Sequence, residues 1–487
     1  MRIKPIVRLK KELGALEYFA LSFGAIVGVG WVVVLGDWLK QAGPIGCMVA
    51  FCAGGLVVLL VGFCYAEMAT RRPVSGGEIA YAYEVFGVPM SFATGWFLAL
   101  GYVSTTIFEA VSVVWVASTL APWIQGRVVY SFNGSPVHLG SLLLGLGGMT
   151  LITLLNCQGV KPVARLQNAL TYTKIILVIV VFFVGLAWGK FAHLEPLFQH
   201  DRHGSIWPGM LGVFLTVPFW MSGFNTVVQV MEEKASRTSL KLVGSMIVLS
   251  ILAATLFYCL LILASSMTMP WENLLKLDLP AARGFELAFH SRLLSRSILL
   301  VALFGNITVW NSVFLSSTRV LFALGRAQII SKDFGVIQSS SGVPSRAILF
   351  VGILGCFGVF LGKGAILPLV NITSSCFALA YVVVCVGVIA MRRQYGARGA
   401  FQVPGGLITA VVATVASIFI LVLSLYQPYK EAGGSVPMEW WLILLWMGVG
   451  SLLWFFGREL RQELSEERRK AIMLEPDPSR AESCAEG

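Results

Sequence analysis

Two short stretches of this 487-residue chain place glycine, proline and polar residues inside apolar surroundings. The first is Gly24-Ala25-Ile26-Val27-Gly28-Val29-Gly30; the second is Val217-Pro218-Phe219-Trp220-Met221-Ser222-Gly223-Phe224-Asn225. Glycine costs about 1 kcal/mol per residue in a helix relative to alanine, so three in seven loosen the first stretch. Two readings of it stay open. Gly24 and Gly28 form a small-xxx-small pair suited to close helix packing, or the segment unwinds and offers backbone N–H groups to a carboxylate. In the second stretch Pro218 removes a helix donor and Gly223 loosens the turn that follows. Freed carbonyls would take an ammonium group and freed N–H groups a carboxylate, the two charges of a zwitterion. A pair of broken helices at matching places in two halves of a chain marks a transport site.

Two charged residues fall inside apolar runs. Lys174 lies nine residues into the run Leu166–Gly189, about 13 Å of helical rise from its start. Glu109 interrupts the run Val85–Gly126. A charge at membrane depth needs a partner or a wet cavity. Lys174 either snorkels to an interface, or fills a cation site and cycles a proton. Glu109 carries a proton, balances a cationic substrate or Lys174, or sits neutral on Ser104, Thr105 or Ser112. No HExxH, paired metal spacing or P-loop occurs, and no nucleophile–base cluster lies at membrane depth. An enzyme, a metal centre, a resident cofactor and ATP-driven transport by this chain alone are therefore not expected. Asn306 and Asn311 read as helix-packing hydrogen bonders.

The elements that must position these residues follow from composition. Apolar residues make up 57% of the chain and charged residues 13%, too few charges to cover a soluble multidomain surface. Uncharged runs long enough to span a bilayer recur twelve times: Tyr18–Gly36, Gln41–Ala66, Val85–Gly126, Leu139–Val160, Leu166–Gly189, Gly204–Met231, Leu242–Trp271, Ser297–Thr318, Ala347–Gly362, Gly364–Met391, Gly399–Tyr429 and Trp440–Gly457. Continuous rather than alternating apolar character means helices, not barrel strands. The expected fold is an all-α polytopic membrane protein of twelve transmembrane helices. The nine cysteines show no CxxC and read as small core residues.

With both ends on one side, Lys and Arg on that side outnumber those opposite by more than two to one. The positive-inside rule then places both termini in the cytoplasm, and the net charge of +11 needs no nucleic acid to explain it. The expected organisation is a cytoplasmic tail over 1–15, a first half over 16–190, a second over 204–391, two further helices over 399–457 and a cytoplasmic tail over 458–487. The five histidines, and the sequon Asn133-Gly134-Ser135, fall in segments expected outside.

These residues resemble the amino acid–polyamine–organocation superfamily of permeases. Gly28-Val29-Gly30 resembles its G-x-G break. Tyr65-Ala66-Glu67-Met68, then Pro73-Val74-Ser75-Gly76-Gly77-Glu78-Ile79-Ala80-Tyr81, resembles its YAEL…P-x-SGG-x-Y signature. Gly159-Val160-Lys161 through Asn168 and Lys174 is similar to its helix 5 entry. Gly223-Phe224-Asn225 with Glu232-Glu233 is similar to its helix 6 pattern, and Ser317-Thr318-Arg319 through Gly325-Arg326 to the end of its helix 8. The resemblance implies a LeuT-type fold, with helices 1–5 and 6–10 as inverted repeats and two accessory helices. It implies that the backbone of Gly28, Val29 and Gly30 binds a carboxylate. The carbonyls of Ile26, Phe219 and Ser222 would receive the amino group, with Gly223 beside them, Phe219 as the aromatic gate and Asn225 within reach. Lys174 would occupy a sodium-site position, faced by Ser316 and Ser317. The sequence departs from the pattern at Val29, where many relatives carry Ser or Thr, at Trp31, and at Glu78 after the glycine pair.

The function expected is secondary active transport of amino acids across the cell membrane by alternating access, sodium-independent and proton-coupled. An amino acid/amine exchanger and a non-transporting nutrient sensor are the alternatives. The partners expected are a small amino acid or amine, a proton and the lipid bilayer.

Overall fold

A computed structural model describes residues 13–74, 76–158, 160–338, 341–397 and 399–475, with only the backbone described for 160–167 and Glu233. Ser75, Gly159, Arg398 and the outer parts of both tails lie outside the described residues, as do the side chains of Lys161, Arg165, Gln167 and Glu233.

The apolar segments, in chain order, are α1 (Ala15–Val33), α2 (Leu35–Arg71), α3 (Glu78–Leu120), α4 (Leu139–Cys157), α5 (Asn168–Trp188), α6 (Trp207–Gln229), α7 (Leu240–Ser266), α8 (Arg292–Arg326), α9 (Ser345–Val359), α10 (Lys363–Tyr395), α11 (Gly406–Glu431) and α12 (Met438–Phe456). Among the described residues, eleven are long and apolar enough to cross a membrane. The twelfth, α9, has 15 residues, short of the roughly 17 that a span takes. Where twelve spans are expected, the described residues hold eleven helices of spanning length and one shorter apolar helix.

Several boundaries move from those expected, each at a residue that bends the chain. Gly43 (φ 71°) followed by Pro44 breaks α2, so that residues 35–42 form a short helix and the long arm begins at Pro44. Gly87 (φ 78°) followed closely by Pro89 does the same in α3. It splits a short helix over 78–86 from the long arm that carries Glu109. A two-stranded hairpin, absent from the expected elements, joins α3 to α4. Its strands are β1 (Val128–Phe132) and β2 (Ser135–His138), closed by Asn133 and Gly134 at positive φ. Asn-Gly is the dipeptide of a two-residue hairpin turn, so the signal was present.

Small residues let the helices close up. A Cβ on Gly54 would lie 2.6 Å from Val217 of α6, and one on Gly55 2.4 Å from Thr255 of α7. In the apolar window of α3, 89% of the residues are buried, against 28% in α11 and 11% in α12. The last two helices therefore line the outside, where Trp441, Leu445 and Phe456 are exposed. Cys52 is also exposed, which corrects the expectation that the cysteines sit in the core.

One end of the bundle holds Leu13, the start of α3, the end of α8 and the C-terminal helix Glu466–Leu474, whose Arg469 Nε donates to Ala327 O at 3.1 Å. We call it the termini end, and the other the hairpin end. At the termini end Arg392 Nε donates to Glu67 Oε1 at 2.8 Å, and Nη2 bonds Oε2, which also accepts from Val403 N–H at 2.8 Å. This pair ties α2, α10 and the link into α11. Arg392→Met leaves the Glu67 carboxylate buried without a cation, a loss of about 3–5 kcal/mol. The expected result is a melting temperature several degrees lower in detergent, checked by thermal denaturation. Adding Glu67→Leu should recover part of the loss.

Candidate functional site

Both glycine-rich stretches break their helices. The first segment of α1 ends at Ile26, Val27 turns to φ −92°, ψ 94°, and helix resumes at Gly30. In α6 the helix runs through Pro218 to Trp220, then tightens into a 3-10 turn over Ser222–Asn225 before Thr226–Gln229. The two breaks meet. A Cβ on Gly223 would lie 2.1 Å from Ile26 N, and one on Gly30 2.2 Å from the Trp220 ring. A Cβ on Gly28 would lie 3.0 Å from Val309 and 3.3 Å from Glu109 Oε1. The glycines of α1 therefore serve unwinding and close packing together; the two readings left open above are not exclusive.

The freed backbone groups are partly engaged. Tyr258 Oη of α7 donates to Ile26 O at 3.1 Å, and Ser222 Oγ to Phe219 O at 2.8 Å. The Ile26 carbonyl keeps a second lone pair for an ammonium group, whereas Phe219 O is also met by the Met221 N–H. Val29 and Gly30 accept from the N–H groups of Val32 and Val34, which restart the helix. Val29 is fully buried, and its side chain adds no hydroxyl. Asn225 is also fully buried, and neither atom of its amide has a hydrogen bond of ordinary geometry.

Rings cover the breaks on both sides. Toward the hairpin end, Phe219 packs edge-on to Phe108 (4.9 Å between ring centres) and Trp220, and Trp220 packs on Trp38 at 5.0 Å. Toward the termini end, Phe224 packs on Tyr65 (5.1 Å) and Tyr381 (5.7 Å). Beyond these rings Arg326 pairs with Glu232 at 3.1 Å, and Tyr18 Oη donates to Val230 O at 3.2 Å. The site is closed at both ends. An open cleft lined by Val111, Trp115, Val137, His138 and Lys363 lies at the hairpin end and contains none of the candidate residues.

Lys174 does not snorkel. It is buried, and its Nζ donates to Gly24 O (3.3 Å), to Val27 O and to Thr308 Oγ1 of α8 (3.3 Å). Three protons thus meet three acceptors, and the ammonium holds the end of the broken α1 segment against α8. Thr308 Oγ1 also lies 3.1 Å from Gly24 O, and Gly305 leaves room for the Lys174 stem. This corrects the placement of Ser316 and Ser317. They sit eight and nine residues farther along α8, about 12–14 Å of rise, and neither reaches Lys174. Ser317 Oγ turns back to Val313 O.

Glu109 lies against Gly28, close enough for its charge to act on Lys174. None of the hydroxyls expected to satisfy it, Ser104, Thr105 and Ser112, hydrogen-bonds its carboxyl. Thr105 Oγ1 bonds Gly101 O, Ser112 Oγ has no partner, and Glu109 Oε2 has none either. Asn306 Nδ2 donates to the Glu109 backbone carbonyl at 3.2 Å, and Asn156 Nδ2 to Asn311 Oδ1 at 3.2 Å, both as helix-packing bonds. Sequence reasoning missed Thr308, Gly305 and Tyr258. The i, i+4, i+8 spacing of Thr308, Ser312 and Ser316 marks the polar face of α8, but not the depth at which Lys174 meets it.

Broken spans meeting in the core of a polytopic helical bundle define a membrane transporter rather than an enzyme. A profile of the family described as "Amino acid permease" matches residues 13–449, and the chain belongs to that family. It is 26% identical to the methylthioribose transporter of Bacillus subtilis, across 92% of this chain and 93% of the relative. It is 26% identical to the branched-chain amino acid permease BcaP of the same organism, across 94% and 95%. It is 28% identical to the Asc-type amino acid transporter 1 of Mus musculus, across 88% and 79%.

Proposed function

We propose that the chain carries an amino acid across the cell membrane by alternating access, without sodium and with a proton as the coupling ion. The observation that carries this reading is the contact between the two breaks, with Gly223 pressed on the Ala25–Ile26 backbone. In this reading the N–H groups of Gly28, Val29 and Gly30 hold the substrate carboxylate. The carbonyls of Ile26, Phe219 and Ser222 hold its ammonium, with the second lone pair of Ile26 O foremost, and Asn225 faces the side chain. Phe219 closes over it toward the hairpin end. The names of the branched-chain and Asc-type relatives support an amino acid substrate. A relative named for methylthioribose leaves the choice of substrate to the side chains around the breaks.

Lys174 supports sodium independence, because its ammonium takes the carbonyl and hydroxyl oxygens that a bound cation would need. Glu109 and Lys174, within each other's field at the α1 break, are the pair through which a proton would be coupled. Matching breaks in α1 and α6 support inverted repeats over 16–190 and 204–391, with α11 and α12 accessory. The loop charges support cytoplasmic termini.

The test uses purified protein in proteoliposomes. Uptake of a labelled neutral amino acid is expected without sodium, and is expected to accelerate when the outside is made more acidic. Uptake that strictly requires an internal amino acid or amine would replace the proton symporter by an exchanger. Sodium stimulation would contradict the assignment of Lys174.

A further inference from the structure

A second buried polar group lies past the α6 break toward the termini end, and the site above uses only its Asn225. Gly76 and Gly77, at positive φ, wedge between α8 and α6. A Cβ on either would lie 2.6 Å from Ala323 or Val228 respectively. That wedge carries Glu78, the first residue of the short helix, into the protein interior, where it is fully buried. Gln229 Nε2 donates to Glu78 Oε2 at 2.5 Å. Glu78 Oε1, Gln229 Oε1 and both amide atoms of Asn225 are buried without a hydrogen bond of ordinary geometry, although Tyr65 and Asn225 lie beside Glu78 and Tyr102 lies beside Gln229. The buried hydroxyls of Tyr65, Tyr102 and Tyr381, from α2, α3 and α10, also lack such a bond, and all three lie within the field of the Glu78 carboxylate.

Glu78 has no ion-pair partner among the described residues, and the buried Lys174 is committed to α1 and α8. Water can satisfy orphaned neutral groups, but a carboxylate at membrane depth calls for a cation or a proton. Three side-chain oxygens, one each from Glu78, Asn225 and Gln229, match in number the three protons of a primary ammonium. The rings of Tyr65, Phe224 and Tyr381 form an apolar and π-bearing wall beside them, suited to a methylene stem and its cationic end. Asn225 stands between this group and the break. From Asn225 to Gln229 is about 6 Å along the helix, comparable to the stem of a lysine side chain.

We propose that Glu78, Asn225 and Gln229 form a second, cation-accepting subsite for the far ammonium group of a basic amino acid whose α-carboxylate and α-amine sit at the breaks. The assignment rests on the amino acid permease reading and deepens it by naming the substrate class.

Lysine and norleucine separate the two claims, since norleucine is the same stem without the terminal ammonium. Equilibrium binding of each to purified protein gives an affinity ratio. Wild type is expected to prefer lysine by tenfold or more, and Glu78→Gln to reduce the lysine-to-norleucine ratio by about 10- to 100-fold, the range for a hydrogen bond to a charged group. Gln229→Leu, which keeps the carboxylate but removes one acceptor, should shift the ratio the same way by less. It serves if Glu78→Gln is not recovered folded. Norleucine binding with no preference for lysine, or a ratio unchanged in both variants, would overturn the subsite alone. A proton-only role for Glu78 belongs to that outcome. Binding of neither amino acid by wild type would overturn the permease reading and the subsite with it.

Discussion

Proteoliposomes carrying Lys174→Ala are expected to show amino acid uptake at background level, while the protein still elutes as a single folded species. The ammonium satisfies Gly24 O, Val27 O and Thr308 Oγ1 and faces Glu109. Its removal leaves those oxygens bare and a buried carboxylate without a cation. Breaking a buried ionic arrangement costs about 3–5 kcal/mol. If the closed state depends on it, that is a loss of about 150- to 5,000-fold. Lys174→Arg should not restore transport, because a planar fork cannot aim three donors at acceptors arranged for a compact ammonium. Transport is read as initial uptake rate under an imposed proton gradient, with and without sodium. Wild-type rates in Lys174→Ala would remove this residue from the mechanism.

Gly28→Leu is expected to abolish substrate binding, and Gly28→Ala only to weaken it. The Ala Cβ would meet Val309 at 3.0 Å and Glu109 Oε1 at 3.3 Å, a crowding relieved by a few tenths of an ångström. The three further carbons of leucine have no such relief among Val309, Glu109 and the α8 backbone near Gly305. They would displace the segment whose N–H groups are assigned to the carboxylate. A displacement near 1 Å at such a site can cost about 100-fold. Isothermal titration with a neutral amino acid checks the series against wild type. Equal affinities across it would assign Gly28 to packing alone.

Much of this was legible in the residue order because helix breakers act locally. Gly28, Gly30, Pro218 and Gly223 declare the breaks through their own backbone chemistry, and Lys174 declares its depth by counting from the end of its run. Contacts across the bundle carry no such local mark. The rotation of α8 decides whether Thr308 or Ser316 faces Lys174, and both lie on one hydroxyl-bearing face. The resemblance therefore named the right face through Ser316 and missed the depth by two turns. Glu78 stood out as a departure from a motif. Its burial was hidden, because it depends on how two glycines at positive φ seat a loop against Ala323 and Val228. The extra bends at Gly43 and Gly87 were readable in principle from the prolines that follow. Continuous apolar character on either side masked them.

The strand-like contact at the very start of α1 has a mechanical meaning. Leu13 pairs with Lys234 just beyond α6, and Ala235 N–H donates to Leu13 O at 3.0 Å. The two interrupted helices are thus pinned to each other twice, once where they are kinked and again at their inner tips. A body held at two points swings as one rod. Any tilting that admits solvent from that face would carry both arms together about a shared pivot, instead of peeling one from the other.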